Sequence, residues 1–204
     1  MACQHRFKNE LLPNWKIKYL FIGTFNPEWN NKNNNAAYFY GRNTNDFWYI
    51  MPQVFNNDSL MDKKYRTDKE CLIKFLKENE IGLTDLISII KNVSEDNPVN
   101  KNDLLSFKDK KIEKYEIEFN ICNIKKLIDN NKELIGVYFT RNIDNKSIIC
   151  QKWIEIKEYC KRKKINANEL ITPSRGYRRN GYNRDKKLED WKEIILKQCP
   201  SPSR

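Results

Sequence analysis

The chain is poor in the residues that several kinds of chemistry require. It has one histidine, His5, and its six cysteines (Cys3, Cys71, Cys122, Cys150, Cys160 and Cys199) include no C-x-x-C pair. Zinc and iron–sulfur sites need clustered imidazoles or thiolates, so neither is expected, and reduced buried thiols are. Ser-His or Cys-His catalysis is equally hard to build around a single histidine near the terminus. The chemistry narrows to carboxylates, amides and arginines. G-x-x-x-x-G-K-[ST] and G-x-G-x-x-G are both missing, which speaks against nucleoside triphosphate chemistry. No apolar run approaches the roughly 18 residues of a membrane span. The opening MACQHRFKNELLP has no apolar core followed by a small-residue cleavage site, so a soluble, cytoplasmic protein with no membrane partner is expected.

What is present is charge and an ordinary apolar share. With 204 residues the chain can build one sizeable core, and a single domain over 1–204 is expected. The 38 Lys and Arg against 27 Asp and Glu give +11, which favours a polyanionic partner, nucleic acid first. A coding sequence of low G+C content would also enrich Lys and Asn, so charge alone decides little.

WKIKYLFIG, residues 15–23, ends in an apolar run stopped by Gly23 and reads as a buried parallel strand. A loop over 24–43 follows, then a helix over about 45–55 with Thr44 as its N-cap and Pro52 ending or kinking it. A second helix is expected over about 67–78, a short strand or turn and an apolar segment in IGLTDLISII, and a loop over 91–103. Helix is expected again within 109–131, and ELIGVYFT at 133–140 is the clearest later strand. A helix with a basic last turn follows, then a short strand in NELIT running into PSRGYRRNGYNR, and a last helix over about 185–198. Strands separated by helices imply right-handed crossovers: an α/β fold of three layers, α/β/α, around a small, mainly parallel four-stranded sheet. Ligands of such sheets sit at the carboxyl ends of the strands. Here those ends are the loop after Gly23, the segment at Thr84 and Asp85, the turn FTRN and the loop TPSRGYRRN.

Three groupings could carry chemistry. GTFNP could present main-chain N–H groups to an anion or a water, although alone it is equally a strand-ending turn. Glu155 and Lys157 form E-x-K and, with Asp144, could hold a magnesium-dependent nuclease site. That arrangement wants a strand, and the segment has helical periodicity. The third grouping is dispersed: Asn26, Tyr40 and Asn45 early, Pro173, Ser174 and Arg175 late. A ring beside amides suits the stacking and edge-reading of a nucleobase. Arg175, Arg178 and Arg179, with Tyr177 and Tyr182, could grip phosphates.

Taken in order, these segments resemble the uracil-DNA glycosylase superfamily, nearest its mismatch-specific (Mug-type) and hypoxanthine-removing branches. There a strand ends in G-I-N-P-G or G-S-F-P-S, and an aromatic, four variable residues and N-x-F-W follow. This chain has Gly23-Thr24-Phe25-Asn26-Pro27, then Tyr40 and Asn45-Asp46-Phe47-Trp48. Gly82-Leu83-Thr84-Asp85-Leu86 is similar to the family's G-V/L-T-x-L, LIGVYFT to its third strand, and Thr172-Pro173-Ser174 to its closing N-P-S or T-S-P. The likeness runs from about residue 17 to 198.

The resemblance implies hydrolysis of the N-glycosidic bond of a deaminated or modified base flipped out of DNA, leaving an abasic site, with no metal or cofactor. It implies duplex DNA as partner, single-stranded DNA as a second form, and a monomer. Tyr40 falls where an aromatic stacks on the base, and Asn45 where an amide holds the base as it leaves. Asn26 is similar to the amide that positions water. Gly23, Thr24 and Phe25 line the pocket, and Pro173, Ser174 and Arg175 enter the minor groove with Arg178 and Arg179 nearby. Phe47 and Trp48 are expected in the core. GTFNP has one residue more than G-I-N-P-G before its Asn-Pro, and Glu28 replaces the second glycine. The activator of water is therefore open among Asn26, Asp85 and Glu28, with Asp85 alternatively capping a following helix. The late loop has no histidine and offers Arg175. A non-catalytic binder of damaged or modified nucleic acid is the other reading.

Overall fold

The computed structural model describes residues 1–29, 36–142, 146–176 and 182–197. Four strands form a parallel sheet in the order β3-β2-β6-β7: β2 (Tyr19–Gly23), β3 (Ile81–Asp85), β6 (Gly136–Phe139) and β7 (Asn166–Glu169). Every residue of β2, β3 and β6 is buried, as an apolar run without alternation requires when helices cover both faces. Within β2 the side chains still divide by period two: Leu20 and Ile22 join one core, Tyr19 and Phe21 the other. The first core packs α6 (Ile121–Asn130) and α7 (Ile148–Arg162) through Ile124, Ile128, Trp153 and Ile156. The second packs α1 (Phe47–Val54), α3 (Lys69–Glu78) and α8 (Arg184–Leu196) through Phe47, Trp48, Leu72, Trp191 and Ile195. The three-layer α/β architecture read from the sequence is the architecture observed.

Several local expectations are corrected. The helix expected from about residue 45 begins at Phe47 with Asp46 at its N-cap, and Thr44 is not the cap. Pro52 lies within it, and it ends at Val54. The stretch expected as loop over 91–103 contains most of α4 (Pro98–Leu105), whose Asn97 cap accepts the N–H groups of Val99 and Asn100. Within 109–131 the expected helix is found as the short α5 (Asp109–Ile112) and α6, with an unexpected strand, β5 (Glu116–Phe119), between them. A one-turn helix, α2 (Lys63–Arg66), precedes α3.

A second sheet was not expected. β1 (Ala2–Gln4), β4 (Ile87–Lys91) and β5 pair antiparallel in the order β1-β4-β5. It matters because β1 brings residues 4–6 to the carboxyl end of the main sheet. His5 N–H donates to Ser88 O (2.8 Å), Arg6 N–H to Asn26 O (2.7 Å) and Glu28 N–H to Gln4 O (3.0 Å). The loop after β2 is thereby fastened along residues 4–6.

The register aligns the strand ends. Gly23 pairs with Asp85, Ile22 with Phe139, and Phe139 with Glu169. Two buried indoles fix the loops above them: Trp48 Nε1 donates to Phe39 O and Trp191 Nε1 to Ile171 O, each at 2.9 Å. Among the described residues no helix is long and apolar enough to cross a membrane, and no disulfide joins the described cysteines.

Candidate active site

A cavity of about 150 Å³ opens at these strand ends, a volume that in an apolar protein interior accepts a six-membered ring. Nine sequence-predicted residues line it: Gly23, Thr24, Phe25, Asn26, Tyr40, Asn45, Asp85, Pro173 and Ser174. Residues drawn from four separate stretches of chain thus meet at one place. Arg178, Arg179 and Tyr177 lie outside the described residues, as does Asp144. Arg175 is described but not in the wall; its Nε donates to Asp46 Oδ1 at 2.7 Å. Tyr182 is described too, with Lys186 Nζ 4.9 Å from its ring centroid.

The floor is built on Asp85, buried at the end of β3. It caps no helix, because β4 follows one residue later. Burial raises its carboxyl pKa, while the hydrogen bond from His5 and one with the Gly23 main chain pull the other way. Nε2 of His5 lies 2.7 Å from Oδ2 of Asp85. Phe7 N–H donates to His5 Nδ1 at 3.0 Å, so Nε2 carries the ring proton and donates it to the carboxylate. His5 is itself buried, stacked on Phe39 with centroids 5.5 Å apart. The sole histidine, set aside on sequence grounds, therefore stands directly behind the buried carboxylate of the site.

Gly23 is required by the same geometry. A Cβ there would lie 2.2 Å from Asp85 Oδ1 and 2.6 Å from the Tyr40 hydroxyl. Glycine is what lets both groups close on the strand end. Asn26 follows on the wall, with Oδ1 buried and without a hydrogen-bond partner. An acceptor buried in that state calls for a donor from whatever enters the cavity. Glu28 is not in the wall; its Oε1 accepts from Gln4 N–H at 2.8 Å.

Tyr40 has a left-handed backbone, φ 57°, which turns its ring onto Phe47 with centroids 4.1 Å apart and planes 7° off parallel. Thr140 Oγ1 donates to Ile22 O (3.2 Å), so the Tyr40 hydroxyl, 2.8 Å away, donates to Thr140. The residue as a whole is half-buried, but its hydroxyl end is enclosed. Burial, and then the charge of Asp85, push the phenol well above its usual range, so it stays neutral. Phe47 and Trp48 are fully buried, as expected of core residues.

Asn45 is oriented by the start of α1. Its Oδ1 accepts from Phe47 N–H at 2.8 Å, which leaves the Nδ2 donors to the cavity that Asn45 lines. The late loop is stitched across it. Asn45 pairs antiparallel with Ser174, Asp46 N–H donates to Pro173 O (2.8 Å), and Arg175 N–H donates to Thr44 O (2.9 Å). Lys187, buried in α8, donates from Nζ to Ser174 O at 2.7 Å.

The remaining wall comes from Phe39, Arg42, Phe107, Asp109 and Ile112, which no motif singled out, from Thr140 and Arg141 of the FTRN turn, and from Thr172. Asp109 pairs with Arg141, and burial raises its carboxyl to about 6 against that attraction. E-x-K proves to be a charged helix face, as its periodicity implied: Glu155 bonds Lys125 (2.7 Å) and Lys152 (3.1 Å), and Lys157 bonds Glu169 (2.8 Å).

An α/β/α fold with a cavity at the carboxyl ends of a four-stranded parallel sheet is thus the class that the fold and site define. Among solved structures it is similar to the solution NMR structure of a "putative Uracil DNA glycosylase" from Methanosarcina acetivorans, with 18% identity, a TM-score of 0.56, and coverage of 91% of this chain and 92% of that one. No family model and no curated protein matches the chain.

Proposed function

We propose that the protein is a monofunctional DNA glycosylase of the uracil-DNA glycosylase superfamily, hydrolysing the N-glycosidic bond of a deaminated or modified base flipped out of DNA. The observation that carries this reading is the convergence in one cavity of a buried carboxylate (Asp85), an unpartnered amide oxygen (Asn26), an aromatic face (Tyr40) and free amide donors (Asn45).

In the proposed reaction the base enters beside Tyr40, whose far face is backed by Phe47. The Asn45 Nδ2 donors meet a ring carbonyl of the base and strengthen their bonds as the C1′–N bond breaks and negative charge moves onto that oxygen. This favours bases that present a carbonyl, which deamination creates. Asn26 Oδ1 accepts one hydrogen of the attacking water. Asp85, ionised and oriented by His5, offsets the positive charge on the sugar and takes the second water proton as the oxygen bonds C1′. The base departs as an anion and is protonated afterwards. No step requires a metal.

The test is a panel of duplexes carrying uracil, hypoxanthine, xanthine or an enlarged pyrimidine, incubated with chelator and then treated with alkali. Strand cleavage at the modified position is expected for at least one. If no duplex acquires an alkali-labile site, the reading fails, and salt-sensitive binding without product would instead identify a non-catalytic binder.

A further inference from the structure

Arg42 is a cation of the cavity wall that the reaction above does not use. Its guanidinium carbon lies 3.4 Å from the centroid of the Phe107 ring. Among the described residues it has no acidic ion-pair partner; burial alone moves its pKa, down to about 10, so it remains charged at neutral pH. The two carboxylates on the wall are already engaged, Asp109 by Arg141 and Asp85 by His5. Phe107 holds a left-handed backbone (φ 54°) at the joint between α4 and α5. A flat guanidinium laid on a ring has its orientation fixed and its N–H edge free, the preorganised form in which arginine grips phosphate.

We propose that Arg42, seated on Phe107, is an anion subsite that takes a phosphodiester flanking the flipped nucleotide. This rests on the glycosylase reading. The reason to assign phosphate is connectivity: a nucleotide that enters base-first brings its sugar and then its two phosphates to the same opening. An uncompensated, partly desolvated cation in that wall meets one of them. Phosphate gripping is thereby assigned to a residue outside the late loop, where Arg175 is held by Asp46.

The experiment measures binding of wild type and Arg42→Ala to duplexes whose target nucleotide carries a 2′-fluorine that blocks hydrolysis. The flanking phosphates are native, or replaced singly by neutral methylphosphonate on the 5′ or 3′ side. Arg42→Ala is expected to weaken binding to the native duplex about tenfold and to reduce the salt slope by about one. One methylphosphonate should cost wild type the same factor and cost the variant nothing more. Arg42→Lys, which keeps the charge and guards against a folding defect, should recover part of the loss, and Phe107→Ala should reproduce it. A loss of unchanged size on both neutralised duplexes would mean that Arg42 reads the base, and would overturn the proposal. Equal binding by wild type and variant would overturn it as well. Coupling to one phosphate without product from any hydrolysable duplex would keep the subsite and reject the glycosylase; product without coupling would do the reverse.

Discussion

Nε2 of His5 and Oδ2 of Asp85 meet at 2.7 Å although 80 residues separate them in sequence. The pairing of β1 with β4 brings them together, and Phe7 N–H on Nδ1 fixes the tautomer. Because this bond lowers a carboxyl pKa that burial raises, its removal has a definite sign. His5→Ala should move the acid limb of the pH–rate profile to higher pH and lower the rate at neutral pH, as less Asp85 is ionised. His5→Gln, which can still donate, should restore much of the rate. Single-turnover rates across the acid to neutral range decide it; an unmoved acid limb in His5→Ala would refute the role.

Asp85 itself should be indispensable. Asp85→Asn keeps the shape and removes the charge, and should cost about 10²–10⁴ in single-turnover rate with little effect on binding of a hydrolysis-resistant duplex.

At Asn45 the two ends of one amide are separable. Asn45→Asp still offers an oxygen to Phe47 N–H and so keeps α1, but loses both donors. The melting temperature should stay near wild type while the rate falls about 10²–10³-fold. A parallel fall in stability and rate would instead make Asn45 structural.

Gly23→Ala would set a Cβ 2.2 Å from Asp85 Oδ1. Overpacking of this kind costs about 1–3 kcal/mol. Denaturant unfolding should report that loss, and activity should fall further than stability explains, because Asp85 and Tyr40 are what must move.

Stability at low pH should depend on Asp103, which does not line the cavity. Lys114, Lys111 and Tyr115 hold its carboxyl down at about 2. A lowered carboxyl contributes stability above its unfolded value, near about 4, and that contribution is lost as pH falls toward about 2. Asp103→Asn should therefore be less stable than wild type at neutral pH, with the difference vanishing in acid. Thermal melts over that range measure it.

The sequence made the main sheet legible where local signals agreed, as in the apolar run closed by Gly23. It failed where signals competed. Glu116-Ile117-Glu118-Phe119 alternates as a strand should, but four residues of period two are swamped by the helical pattern on either side. Asn97-Pro98 is a cap followed by proline in the first turn, a start signal that lay inside a stretch polar enough to read as loop. Nine of the residues read as candidates line the cavity, because they sit at the ends of recognisable segments. His5, Arg42 and Asp109 carried no local mark; each meets a partner that only the tertiary fold supplies.

The main-chain pairing of residues 44–46 with 173–175 has a mechanical consequence. The two segments cannot part without breaking bonds on both, so a duplex that displaced Ser174 would swing the Asn45 carboxamide with it. Under the proposed reaction, docking and aiming would be one event, and a strand seated askew would meet an amide already out of line. In a glycosylase of the kind proposed, such a roof would be a gauge of fit that is read before any bond is broken.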